Sequence, residues 1–183
     1  GTHQLTVTQR PLNSSGSKAY DANTDALANA ITLSNLAGGE TLIHSGTAST
    51  SSANAGSYTI NNLAGIGISN GTGTASNYTL TGGTHSFTIN KRVVSLSGGS
   101  RQYNGSATAI AADLPTINNL VGSETLTLSG NGVVENANVG DNKPLTNLSG
   151  LTLQNGSNGG LAANYTLSGG SSIISITPRI LSL

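Results

Sequence analysis

Gly1-Thr2-His3-Gln4-Leu5-Thr6-Val7-Thr8-Gln9-Arg10 returns as Gly83-Thr84-His85-Ser86-Phe87-Thr88-Ile89-Asn90-Lys91-Arg92. The offset is 82 residues, and non-identical pairs keep their polar or apolar character through Val7/Ile89. A looser third copy runs from Gly170 through Ser175-Ile176-Thr177-Pro178-Arg179, at an offset of 87. Between these marks the offset only grows. Lys18-Ala19-Tyr20 meets Arg101-Gln102-Tyr103 at 83, and Glu40-Thr41-Leu42 meets Glu124-Thr125-Leu126 at 84. Asn54-Ala55-Gly56 meets Asn138-Val139-Gly140 at 84, Leu63-Ala64-Gly65 meets Leu148-Ser149-Gly150 at 85, and Asn77-Tyr78-Thr79-Leu80 meets Asn164-Tyr165-Thr166-Leu167 at 87. Small loop insertions in two copies of one domain produce such a drift. The expected division is residues 1–10 as the end of a preceding repeat, 11–92 and 93–179 as two repeat domains, and 180–183 as the start of another.

Alternation at period two marks strands: Leu5-Thr6-Val7-Thr8, Tyr58-Thr59-Ile60, Tyr78-Thr79-Leu80, Leu126-Thr127-Leu128, Leu151-Thr152-Leu153 and Ile174-Ser175-Ile176. Threonine is β-branched and polar, which suits the wet face of a half-buried strand. Turn signals separate the runs: Ala37-Gly38-Gly39, Asn70-Gly71, Gly82-Gly83, Asn104-Gly105, Asn155-Gly156 and Gly169-Gly170. The stretch Asp21 to Ala30 has room for one helical turn, with no counterpart of similar quality near Ile110-Ala111-Ala112. The fold class that follows is all-β, two small Ig-like β-sandwich domains in series with six to eight strands each. A β-grasp-like repeat and a parallel β-helix are the alternatives; the absence of self-similarity near 20 residues counts against the second.

Composition narrows the functions. Seven Lys and Arg balance seven Asp and Glu, leaving no electrostatic footprint for nucleic acid or an anionic membrane. The chain has no Cys, Met or Trp, so neither a disulfide framework nor a thiolate site is available. Ser, Thr, Asn and Gly together make 94 of 183 residues, while Leu, Ile, Val and Phe make 41. That is just above the roughly 20% below which chains stay disordered. No apolar run approaches the roughly 18 residues that span a bilayer.

Repeat 2 carries Tyr103-Asn104-Gly105-Ser106, Gly122-Ser123-Glu124-Thr125-Leu126, Asn136-Ala137-Asn138-Val139-Gly140-Asp141-Asn142-Lys143, Leu148-Ser149-Gly150-Leu151 and Ala163-Asn164-Tyr165-Thr166-Leu167, then Ile176-Thr177-Pro178-Arg179. In that order these motifs resemble the YDG repeat, related to MBG repeats, of large secreted adhesins similar to filamentous haemagglutinin. The name-giving triplet is Tyr20-Asp21-Ala22 in repeat 1 and Tyr103-Asn104-Gly105 in repeat 2, and repeat 1 lacks the lysine after its Asn-Ala-Gly. The resemblance implies stalk segments of an exported bacterial adhesin and no catalysis. It implies an extracellular location, a monomeric segment of a long fibre, and neighbouring repeats of the same polypeptide as partners. Binding of host or matrix glycans by the repeats themselves is the rival function.

The residues singled out are those that recur: Tyr20 and Tyr103, Asn104 and Gly105, Glu40 and Glu124, Gly56 and Gly140, and Asn77-Tyr78 with Asn164-Tyr165. With five Tyr and one Phe in the chain, core duty for the rings outweighs sugar stacking. A recurring lone carboxylate caps a turn more often than it catalyses. His3 and His85 stand one repeat apart, His44 aligns with Leu128, and no HxH or HExxH spacing exists, so no metal and no cofactor is expected. Lys18 aligns with Arg101 and Lys143 with Thr59; because neither lysine recurs, a Lys–Asn crosslink beside a carboxylate is not expected. Seven Asn-x-Ser/Thr sequons occur, about the number chance supplies.

Overall fold

A computed structural model describes residues 1–60, 62–167 and 172–181. The chain divides into two compact units, Gly1–Asn90 and Lys91–Leu183. Unit 1 contains β1 (Arg10–Pro11), β2 (Asn13–Ala19), β3 (Asp25–Leu27), β4 (Ile31–Ser34), β5 (Leu42–Ser49), β6 (Gly56–Thr59), β7 (Ile66–Asn70), β8 (Tyr78–Thr79) and β9 (His85–Asn90). Unit 2 contains β10 (Arg92–Ser97), β11 (Gly99–Gln102), β12 (Thr108–Ile110), β13 (Thr116–Asn118), β14 (Leu126–Val134), β15 (Gly140–Asn147), β16 (Leu151–Asn155), β17 (Tyr165–Leu167) and β18 (Ile173–Thr177). The protein is all-β. Each unit has more than the six to eight strands expected: in unit 1 the two-residue pieces β1 and β8 pair as strands of their own, and in unit 2 the early strand is split into β10 and β11.

The pairing repeats. In unit 1 a mixed sheet has the order β4-β2-β9-β6, and a second sheet runs β3-β5-β7. Unit 2 pairs β13 and β17 with β10, and joins β11-β18-β15-β14-β12, with β16 also on β14. Most neighbours are antiparallel; the parallel pairs are β1 with β8, β2 with β9, β10 with β17 and β11 with β18. No parallel β-helix occurs among the described residues.

Alternation places the cores. On β9, Phe87 and Ile89 are buried while Ser86 and Thr88 are more open; β18 does the same with Ile174 and Ile176. In unit 2, Leu96, Ala109, Leu114, Val134, Leu145, Leu151, Ile174 and Ile176 form one cluster drawn from both sheet groups. Leu5-Thr6-Val7-Thr8 departs from expectation: residues 1–9 form no strand, and Leu5 and Val7 are each 87% exposed. Its copy Phe87–Asn90 is a strand because it bonds to β2 and β6; those two edges in unit 1 are already filled by β9. The helix-like stretch yields one 3-10 turn, Ala28–Ala30. Contrary to expectation unit 2 has the counterpart, Ala111–Asp113, held by Leu114 N–H on the Ala111 carbonyl. The expected turn at Gly169-Gly170 lies outside the described residues, as do Ser182 and Leu183.

The growing offset now has locations. Gly98, at φ +73, interrupts unit 2 between β10 and β11 where β2 runs on unbroken. Asn142, at φ 52, sits in the register shift between Gly140 and Lys143 on β15. Asn158 and Gly159, at φ 54 and 87, fill the widened loop after β16. Asparagine and glycine carry these insertions because they enter the left-handed region at least cost. The β15 shift also corrects one alignment. Lys143 faces Ile174 as Tyr58 faces Phe87, so Lys143 takes the place of Tyr58, not Thr59.

Candidate functional site

The residues that recur converge on one arrangement in each unit. Arg10 opens β1 and lies in register with Tyr78 on β8. Just past β4, Asn35 adopts φ 68. Arg10 Nε donates to the Asn35 carbonyl at 2.7 Å and Nη2 to its Oδ1 at 2.8 Å, while Asn35 Nδ2 donates to the Pro11 carbonyl at 2.7 Å. The Tyr78 hydroxyl donates to Glu40 Oε2 and accepts the Ala37 N–H at 3.0 Å. A planar guanidinium fork, a left-handed Asn and a buried Tyr thus fasten the strand end to the loop after β4.

Unit 2 rebuilds it atom for atom. Arg92 is in register with Tyr165. It donates to the Asn119 carbonyl at 2.8 Å and to its Oδ1 at 2.7 Å; Asn119, at φ 70, donates to the Val93 carbonyl at 2.7 Å. The Tyr165 hydroxyl donates to Glu124 Oε2 at 2.6 Å and accepts the Val121 N–H at 3.1 Å. Burial, and secondarily the bond to Glu124, push the Tyr165 phenol up to about 12. Glu40 and Glu124 were singled out as lone recurring carboxylates, and each accepts from a buried tyrosine. Asn35 and Asn119 escaped the sequence reading, although Asn35-Leu36 and Asn119-Leu120 recur at the offset of 84.

The other marked residues have structural surroundings. Asn77 and Asn164 close the 3-10 turns Ala75–Asn77 and Ala162–Asn164 that lead into Tyr78 and Tyr165; Asn164 is buried and Asn77 exposed. Tyr20 is buried at 3% exposure, but Tyr103 keeps 41%, so the expected core duty does not extend to Tyr103. Gly105, at φ 79, turns the loop after β11; Asn104 Oδ1 there accepts the Ser106 N–H at 3.0 Å and an Arg101 N–H. Gly56 and Gly140 begin β6 and β15. His44 Nε2 lies 3.0 and 2.9 Å from the Ala28 and Ile31 carbonyls, and His85 bridges Ser14 Oγ and the Leu80 carbonyl at 3.0 and 2.8 Å. No group of three metal-ligating side chains forms among the described residues.

Neither lysine recurs, yet each meets an asparagine and a carboxylate within its own unit. Lys18 Nζ lies 2.8 Å from Asn23 Oδ1 and 2.8 Å from Asp21 Oδ1. Lys143 Nζ, on a side chain 7% exposed, lies 2.7 Å from Asn136 Oδ1 and 3.4 Å from Glu135 Oε1. Asp21 and Glu135 keep 42% and 49% of their side chains exposed. They are solvated partners of an ammonium, not acids buried to shuttle a proton. Each trio staples a loop.

An open groove of about 870 Å³ runs in unit 1 along Ile60, Leu63, Ile66, Leu80 and Gly82. No Tyr or Phe lines it. No helix among the described residues is long and apolar enough to cross a membrane.

The YDG domain matches the chain twice, over residues 2–86 and 90–172. No curated protein and no solved structure matches it.

Proposed function

This chain belongs to the YDG domain family as two tandem copies, and from that premise we propose that its units are structural spacers of a bacterial surface or secreted adhesin, holding a distal binding region away from the cell for adhesion or biofilm formation. One observation carries the reading. The residues both copies retain, Arg10/Arg92, Asn35/Asn119, Tyr78/Tyr165 and Glu40/Glu124, bond to one another inside their own unit. What is repeated is a fastening: the recurring carboxylates Glu40 and Glu124 each accept from a tyrosine of their own unit. Repeats that keep their own cores lengthen a protein by duplication. A chain without Cys or Met suits an oxidising exterior.

In architecture, the reading favours a β-grasp-like unit over an Ig-like sandwich. Its support is that the first long strand and the last lie parallel at the centre of the mixed sheet, flanked by antiparallel partners, in the order β4-β2-β9-β6.

The test is to display the two units on a cell surface with and without an unrelated binding tip. Adhesion should follow the tip, and the units alone should confer none. Saturable attachment of cells, or of a glycan array, by the units alone would overturn the spacer reading. The exposed Tyr103 ring is the one observation on the glycan side, so its Ala variant belongs in that array.

A further inference from the structure

In each unit the chain's early strand and its last strand lie side by side and run in the same direction. In unit 1, β2 pairs with β9 from Ser14↔His85 through Ala19↔Asn90, six partners in unbroken register. Ser14 N–H on the Thr84 carbonyl and Tyr20 N–H on the Asn90 carbonyl, both 2.9 Å, extend that ladder at its two ends. In unit 2, β11 pairs with β18 from Gly99↔Ile174 through Gln102↔Thr177, and Tyr103 N–H on the Thr177 carbonyl at 2.8 Å closes it.

Tension carried along the backbone enters unit 1 through β1, reaches the ladder at the start of β2 and leaves at the end of β9. In a parallel pair those two points stand at opposite ends of the ladder. The pull then slides one strand past the other and loads all the hydrogen bonds together. Had the two strands been antiparallel, the same pull would have opened the ladder from one end, one bond at a time.

The interface that would have to slide is also pinned by side chains. His85 Nε2–H donates to the Leu80 carbonyl at 2.8 Å, which leaves Nδ1 to accept the Ser14 hydroxyl at 3.0 Å. Asn13 Oδ1 accepts the Thr84 N–H at 2.9 Å. Phe87 and Ile89 on β9 are each 1% exposed, so sliding drags the largest core side chains through their packing. Gly16 lets β2 lie against them: a Cβ there would stand 2.9 Å from the Phe87 ring and 2.1 Å from the Ala30 carbonyl.

We propose that each unit is a load-bearing module whose parallel pair of early and last strands acts as a shear clamp against tension along the chain. This goes beyond spacing, since a spacer need not resist force.

Because the chain contains no cysteine, handles for single-molecule pulling can be placed at will in the full chain. Thr8→Cys with Lys91→Cys loads the unit 1 ladder in shear. Ala22→Cys with Lys91→Cys, all three positions being exposed, grips both strands at the same end and peels them. At one loading rate, shear should need several-fold more force than peeling, because forced unfolding reports the barrier along the pulled direction. Equal forces, or a lower force in shear, overturn the proposal. His85→Ala should lower the shear force and leave the peeling force unchanged; an equal fall in both would mean that His85 supports the fold and not the clamp. Failure of the clamp leaves the spacer reading standing, and adhesion by the units alone leaves the force asymmetry standing.

Discussion

Position for position, the two units solve the same problem with different chemistry. On the early strand, Ser14 of unit 1 corresponds to Leu96 of unit 2, and on the last strand His85 corresponds to Ser172. Unit 1 joins the strands through a Ser14–His85 side-chain bond. Unit 2 buries Leu96 at 0% exposure and lets Ser172 Oγ accept the Leu96 N–H at 3.1 Å. Unit 1 runs six parallel partners without a break, whereas Gly98 interrupts unit 2 and leaves four on β11. Both units preserve the topology and the Arg–Asn and Tyr–Glu fastening; the side-chain contact between the early and last strands is free to vary. By the argument above, unit 1 should be the stronger clamp.

The steepest way to break this comparison is to strike what the two units share. Gly46 and Gly130, on β5 and β14, have φ +100 and +86, and a Cβ at either would stand 2.0 Å from the carbonyl of Gly65 or Gly150. Gly46→Ala and Gly130→Ala should each cost about 3 kcal/mol or more. Urea titration should show each substitution lowering its own unit's transition by a similar amount. A large loss in one unit and none in the other would show that the units do not share this crossing.

Next in size is the place where the units differ. Leu96→Ala removes a fully buried side chain from the unit 2 cluster and should cost about 2–5 kcal/mol. Ser14→Ala at the corresponding position removes one hydrogen bond and should cost about 1 kcal/mol. Equal losses would mean that the hydroxyl and the leucine do the same work. The tyrosines test the shared lock in a different way. Tyr165 titrates about 12 in the folded unit, above its ordinary value of about 10. The folded state therefore holds the proton more tightly. The stability this provides is present below pH 10 and drains away as pH rises from about 10 to about 12. Tyr165→Phe should flatten that part of the stability–pH curve for unit 2; an unchanged slope would assign it elsewhere.

Much of this was legible in the sequence because it was written twice. The offset from 82 to 87 announced two copies and the number of inserted residues, and Thr alternation announced the half-buried strands. The insertion points were not legible. A shift of one residue in a Ser, Thr, Asn and Gly background leaves several alignments equally good, and only the register of β15 against β18 shows that Lys143 replaces Tyr58. Strand β2 was also hidden: Asn13-Ser-Ser-Gly-Ser-Lys-Ala19 has no apolar alternation, yet it is paired on both sides. Its place is dictated by partners distant in sequence, which local periodicity cannot report. Asn35 and Asn119 were visible as a recurring Asn-Leu pair. Their role needed the left-handed backbone and the arginine reaching in from another strand.

The smallest effect sharpens the comparison furthest. If Lys143 occupies the place of Tyr58, the two side chains close corresponding loops by different routes. Tyr58 Oη donates to the Asn54 carbonyl at 2.7 Å, and Lys143 Nζ reaches Asn136 Oδ1 at 2.7 Å. Both lay an apolar stem over the sheet and hold a loop with the polar tip. Lys143→Tyr keeps stem and tip, so it should change unit 2 stability by no more than about 1 kcal/mol in urea. Lys143→Ala removes both and should cost more, about 1–2 kcal/mol, because the face beneath loses its cover and Asn136 Oδ1 is left with the Asn138 N–H alone. If tyrosine proves as damaging as alanine, the extra residue Asn142 has turned the loop out of its reach. The correspondence would then hold for the backbone register alone.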